Sequence, residues 1–219
     1  MPLAPPSPAA LPAEARAAVL AWYDARGRAL AFRGTRDPYA ILVSEVMAQQ
    51  TQISRVVEAW SRFLERFPTV AALAAATPAD VLRAWRGMGY DRRALNLHRA
   101  AQVIVAEHGG QVPRTREALE ALPGVGRKTA NVVLNVAFGE STIAVDTHIF
   151  RVGNRTGLAT GKNPFEVEQK LEAVVPGEYK RHAHHWLILH GRYTCLARKP
   201  LCERCVIADL CKWPGKTAL

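Results

Sequence analysis

Seven residues constrain this chain more than any others: Leu122-Pro123-Gly124-Val125-Gly126-Arg127-Lys128. Pro123 stops the helix before it, and two glycines one residue apart permit a tight turn. Apolar residues recur at helical spacing on both sides, so the stretch predicts two helices joined by a hairpin. The same period runs through most of the sequence, with Gly and Pro signals between the periodic stretches. Helices are predicted over residues 13–26, 38–50, 52–66, 70–75, 78–86, 91–108, 115–121, 127–138, 146–156, 164–174 and 179–190. Nothing reads as a hairpin of strands, and no repeat of fixed period is present. The expected fold class is all-α.

A helix that starts on such a turn points unpaired amides outward and attracts anions. Gly124 and Gly126 carry no side chain to keep a phosphate away, and Arg127 adds charge. A turn of this kind grips a nucleic-acid backbone without reading its sequence. Eighteen residues after Lys128 stands Asp146, in Val145-Asp146-Thr147-His148. An amine and a carboxylate beside a phosphate clamp suit the breaking of an N-glycosidic bond. The carboxylate would stabilise the positive charge that builds on the sugar. The amine would attack C1′, form a Schiff base and permit β-elimination of the 3′ phosphate. To do so it must shed its proton, and Arg127, the helix start and burial all favour the neutral amine. Blander readings stand beside these: the hairpin as a bare connection, Lys128 as a phosphate ligand, Asp146 as a helix cap.

The charge balance points the same way. Net charge is +10, and residues 180–219 hold 8 Lys and Arg against 2 Asp and Glu. A basic surface of this kind suits a polyanion, nucleic acid before anionic membrane. No apolar run approaches the roughly 20 residues that span a bilayer. Residues 1–13 contain five prolines and lack a positively charged start, which argues against a signal peptide. A cytoplasmic, nucleoid-associated monomer is expected, without a membrane partner.

All four cysteines fall in one segment: Cys195, Cys202, Cys205 and Cys211. Four soft thiolates in one loop point to zinc or to an iron–sulfur cluster, and spacing alone does not separate them. Arg192, Arg198, Lys199, Arg204 and Lys212 surround the segment and would present cations to phosphates. His182, His184, His185 and His190 lie nearby and are read as helix and core residues.

Three stretches carry a resemblance. They are residues 122–135, the run Thr142-Ile143-Ala144-Val145-Asp146-Thr147-His148-Ile149-Phe150-Arg151, and His185-Trp186-Leu187-Ile188-Leu189-His190-Gly191-Arg192 through the last cysteine. Together they resemble the endonuclease III-like helix-hairpin-helix DNA glycosylases. The resemblance implies a [4Fe-4S] cluster on the four cysteines. It also implies a bifunctional glycosylase and AP lyase for oxidised pyrimidines, because relatives without the lysine only remove the base.

The first half resembles a different relative, the mismatch adenine glycosylase. The matching stretches are Trp22-Tyr23, Gly27-Arg28, Asp37-Pro38-Tyr39, residues 43–52 and Gly87-Met88-Gly89-Tyr90. One departure is Leu30-Ala31-Phe32-Arg33, where that family has Leu-Pro-Trp. Glu45 stands where that family keeps the acid that protonates the departing base. At about 100° per residue, Leu42, Val46, Ile53 and Trp60 form one apolar stripe with Glu45, Gln49 and Gln52 at its edge. A carboxylate there can act as an acid, or be a solvated edge charge. Gln49 or Gln50 and Tyr90 are candidate wedges that fill the gap when a nucleotide is flipped out; Tyr90 reads equally as a core aromatic. The chain ends at Leu219, and no room is expected for the further domain with which that family reads oxidised guanine.

Two helical lobes are therefore expected: residues 30–140 ending in the hairpin, and 141–219 with the cluster loop, against which 1–29 would pack. The partner is double-stranded DNA with a damaged or mismatched base. The expected catalytic residues are Lys128, Asp146 and Glu45. The expected DNA-facing residues are Gly124, Val125, Gly126, Arg127, Gln49, Gln50, Tyr90, His148, Arg192 and Lys199. The alternative is a monofunctional mismatch glycosylase for adenine or thymine using Glu45 and Asp146. A catalytically silent DNA-binding scaffold is a third reading, against which Lys128 and Asp146 argue.

Overall fold

Residues 34–216 are described by a computed structural model, and among them every regular element is helical. The predicted helix 13–26 and the Pro-rich lead-in lie outside the described residues. Helix α1 (Pro38–Ala48) starts where the Asp37 carboxylate accepts the Tyr39 N–H at 3.1 Å and Pro38 takes the first helical position. Its apolar residues face the core on nearly all sides. After a turn at residues 49–52 come α2 (Ile53–Arg66) and the short α3 (Val70–Ala74) and α4 (Pro78–Ala84), capped by Thr69 and Thr77. Helix α5 (Arg92–His108) stops at Gly109 in the left-handed region. The short α6 (Arg116–Glu120) leads through the hairpin into α7 (Arg127–Phe138), which ends on left-handed Gly139. Then follow α8 (Thr147–Thr156), α9 (Pro164–Val174), α10 (Gly177–Tyr193) and a 3₁₀ turn at Cys202–Arg204.

The apolar side chains sort into two cores. The first takes Leu42, Val46, Phe63, Trp85, Leu97 and Leu134 from α1 to α7. The second takes Ile149, Val167, Leu171 and Ala183 from α8 to α10. The connector after α7 is extended, so its side chains alternate. Ile143 and Val145 enter the second core, and Ala144 between them enters the first. The Asn135 side chain and, one helical turn before it, the Asn131 main-chain carbonyl hold that connector. Asn135 donates from Nδ2 to the carbonyls of Glu140 (3.1 Å) and Thr142 (2.9 Å). Thr142 Oγ1 donates to the Asn131 carbonyl at 2.7 Å. Asp146 is delivered at the connector's end, at the start of α8.

Two expectations are corrected. The stripe through Leu42, Val46, Ile53 and Trp60 is not one helical face. The turn at residues 49–52, with Gln50 at φ 53°, resets the phase between α1 and α2. All four residues reach the first core, each pair from its own helix. The last helix runs past its predicted end. Gly191 looks like a stop signal, but a Cβ there would stand 2.9 Å from His148 Cβ, so the glycine serves close packing of α10 on α8. Among the described residues no helix is long and apolar enough to cross a membrane.

Candidate active site

One open cleft is lined by Glu45, Gln49, Gln50, Lys128, Asp146, His148, His184 and Arg192, from α1, α7, α8, α10 and the turns before α2 and α8. Lys128 lies in the first turn of α7, where the helical N–H groups have no partner inside the helix. Its Nζ pairs with Glu45 Oε2 across the cleft floor. The two residues that sequence reasoning assigned to separate relatives are thus in direct contact.

Asp146 caps α8 and also faces the cleft. Its Oδ1 accepts the N–H groups of His148 (2.8 Å) and Ile149 (2.9 Å), and Oδ2 lies 3.1 Å from His148 Nδ1. Burial alone would raise its pKa. The hydrogen bonds from His148 and the Ile149 amide outweigh burial and bring it down to about 2. Asp146 is therefore a carboxylate at neutral pH. One oxygen thus takes both amides, and the other meets the His148 ring.

His184, expected among the helix and core residues, lies on α10 and lines the cleft, as His182 and His185 do. Its Nδ1 lies 2.6 Å from the Ala144 carbonyl, which can only accept, so the ring proton sits on Nδ1. Burial, then the charge of Lys128, lowers its pKa to about 4. The imidazole is neutral at neutral pH and leaves Nε2 as an acceptor. No sequence signal separated it from the neighbouring histidines.

The hairpin is more divided than its sequence suggests. Gly124 has φ 78°, and a Cβ on it would stand 2.9 Å from Asn96 Cβ. Its carbonyl accepts from Gln49 Nε2 at 3.1 Å, which ties the turn after α1 to the hairpin. Val125 is buried in the first core, and its N–H closes the turn on the Leu122 carbonyl at 3.1 Å. Val125 therefore holds the turn together rather than facing outward. Gly126, by contrast, has open space where a Cβ would be. Arg127 was expected to reach that phosphate. Its guanidinium instead meets Glu168, with Nη2 to Oε1 at 2.7 Å, approaches Glu120 at 3.6 Å, and lies 4.6 Å from the Phe165 ring centroid.

Gln50, Tyr90 and Lys199 are all exposed, and they are the non-glycine residues with positive φ among the described residues. Tyr90 is thus not a core aromatic. It and Lys199 lie outside the wall of the cleft, whereas Arg192 and His148 form part of it.

The four cysteines ring a second, smaller cavity together with His190, Thr194 and Trp213. None is in a disulfide. Among the described residues no three His, Cys, Asp or Glu side chains gather tightly enough for a single ion. Four thiols around a cavity suit a polynuclear cluster better than one zinc. Two arginines on α8 tether this loop. Arg151 donates to the Cys195 (3.0 Å) and Gly191 (2.7 Å) carbonyls. Arg155 donates to the Leu196 (2.6 Å) and Ala197 (3.0 Å) carbonyls. Their i, i+4 spacing was the signal that sequence reasoning passed over.

The family described as "HhH-GPD superfamily base excision DNA repair protein" matches residues 43–177. The chain belongs to that family. The "iron-sulfur binding domain of endonuclease III" matches residues 195–211, which span all four cysteines, and the cofactor is a [4Fe-4S] cluster. Endonuclease III of Escherichia coli strain K12 is 49% identical over 181 residues, covering 82% of this chain and 86% of that one. A trapped endonuclease III–DNA covalent intermediate superimposes with TM-score 0.76 at 37% identity, over 81% of this chain and 84% of that one. A thermostable thymine-DNA glycosylase superimposes with TM-score 0.84 at 29% identity, over 92% and 95%. As an HhH-GPD protein of the endonuclease III type, the chain is a DNA glycosylase and AP lyase of base excision repair.

Proposed function

We propose that this enzyme removes oxidised pyrimidines from double-stranded DNA as a monomer at the nucleoid, with Lys128 as the nucleophile at C1′. The observation that carries the reading is the Lys128–Glu45 contact beside Asp146 in one cleft. A lysine attacks only as the free amine. Glu45 is placed to take the Nζ proton as attack begins. Asp146, held anionic, stabilises the positive charge that develops on the sugar. The neutral His184 adds no cation to oppose that charge. The first amides of α7 and the open side of Gly126 hold the backbone phosphate, with His148, Arg192 and Lys199 along the strand. The Schiff base then lets the 3′ phosphate leave by β-elimination.

Borohydride trapping on a duplex with an abasic site tests this. The wild type should form a covalent protein–DNA adduct and Lys128→Ala should form none. Equal trapping by the two would exclude Lys128 as the nucleophile.

A second reading, a mismatch glycosylase acting through Glu45 and Asp146, is favoured by the presence of Glu45 in the cleft. It requires Lys128→Ala to keep releasing adenine or thymine from mispairs. Glu45→Gln should then abolish that release.

A further inference from the structure

Arg93, at the second position of α5, is buried at 8% exposure, and Glu45 and Asp146 are not among its partners. Its guanidinium instead joins two turns. Nη1 donates to the carbonyls of Val46 (3.3 Å), Met47 (3.0 Å) and Gln49 at the end of α1. Nη2 donates to Thr51 Oγ1 (2.9 Å) and to the carbonyls of Met88 (3.1 Å) and Gly89 (3.0 Å) before α5. The planar fork of an arginine can do this; the point charge of a lysine cannot.

Each turn then presents one exposed residue in the left-handed region, Gln50 at φ 53° and Tyr90 at φ 50°. That conformation is rare for side chains of this size and persists only where the surroundings over-determine it. The carbonyls of Gln49 and Gly89, one residue before each, sit on the two ends of a single guanidinium. Gln50 and Tyr90 are therefore held within the breadth of one side chain. The Tyr90 ring centroid lies 5.3 Å from Arg93 Cζ, so the guanidinium also faces the ring it positions. Tyr90 is 65% exposed, so among the described residues most of its ring stays uncovered.

We propose that Arg93 is a positioning residue that makes Gln50 and Tyr90 one two-pronged probe of duplex DNA. The probe enters the stack where a nucleotide is extruded, Gln50 from the cleft wall and Tyr90 from beside it. Extruding a base costs unpairing and unstacking, and a preset pair of side chains offsets that cost without first being ordered. The inference rests on the reading of this protein as a base-excising enzyme on duplex DNA.

The test is a double-mutant cycle read by base extrusion. Fluorescence of 2-aminopurine placed opposite the target nucleotide reports the flipped state. Arg93→Met should cut the flipped fraction and single-turnover excision from duplex about tenfold, yet add less than about twofold when Gln50→Ala and Tyr90→Ala are already present. An equal loss in both backgrounds would mean a merely structural role and overturns the proposal, as does wild-type flipping by Arg93→Met. If Arg93→Met melts early, Arg93→Lys gives the same comparison, because it keeps the charge and cannot span both turns. Borohydride trapping on a single-stranded abasic oligonucleotide needs no insertion. Its loss in the wild type would fault the enzyme reading, whereas its retention with an additive cycle would fault the probe alone.

Discussion

At the scale of single residues, Asp146 caps α8, and a substitution can separate that cap from the charge-stabilising role proposed for it. Asparagine caps a helix about as well as aspartate, whereas alanine costs about 1 kcal/mol. Asp146→Asn should therefore melt close to the wild type and excise at least about 100-fold more slowly, since the loss is of charge facing the sugar. Asp146→Ala should lose both, and wild-type excision by either variant would remove Asp146 from the chemistry. The pH dependence has a definite sign. The folded pKa of about 2 lies below the ordinary 3.8, so ionised Asp146 stabilises the fold fully above 3.8. That contribution fades as pH falls from 3.8 through about 2. Acid titration of stability should show this step in the wild type and lose it in Asp146→Asn.

At the scale of elements, the hairpin was legible because its constraints are local. Pro123 and the two glycines dictate a turn, and α7 begins and ends where the sequence places it. The two glycines proved unequal, which only the packing against Asn96 reveals. Gly124→Ala should destabilise by about 1–2 kcal/mol through its positive φ and that contact. Gly126→Ala should melt normally and weaken DNA binding, because its Cβ would fill space left for a phosphate. A normal melt for Gly124→Ala would contradict the tight approach. What stayed illegible was set by partners far along the chain. Gly191 reads as a stop because its contact with His148 is invisible in sequence; the break between α1 and α2 is legible, but not the change of phase that Gln50's positive φ puts there. The Asn135 side chain and the Asn131 main-chain carbonyl pin the connector that ends at Asp146, contacts that nothing in the sequence shows.

At the scale of the molecule, two ion pairs join helices of the first core to a helix of the second. Arg127 on α7 reaches across to Glu168 on α9, and Arg116 on α6 reaches Glu172 on the same helix at 3.9 Å. Glu168 is only 3% exposed, so its charge has been taken from water and depends on its partner. Removing Arg127 leaves that carboxylate buried and unpaired. Roughly 3 kcal/mol of stability should go with it, the lower end of the usual range because the guanidinium is itself about one-third exposed. Glu168→Gln in the Arg127→Ala background should recover part of this, since a neutral amide tolerates burial better. The same geometry fixes what Arg127 contributes to DNA binding. Each phosphate neutralised by a side chain adds about 0.9 to the slope of log affinity against log salt concentration. A guanidinium already committed to Glu168 neutralises none. Arg127→Ala should leave the salt slope unchanged under conditions where the variant is folded, while Arg192→Ala, from the cleft wall, should reduce it by about 0.9. A reduced slope for Arg127→Ala would mean that DNA draws the arginine off Glu168, and that the pair joining the two cores opens when substrate binds.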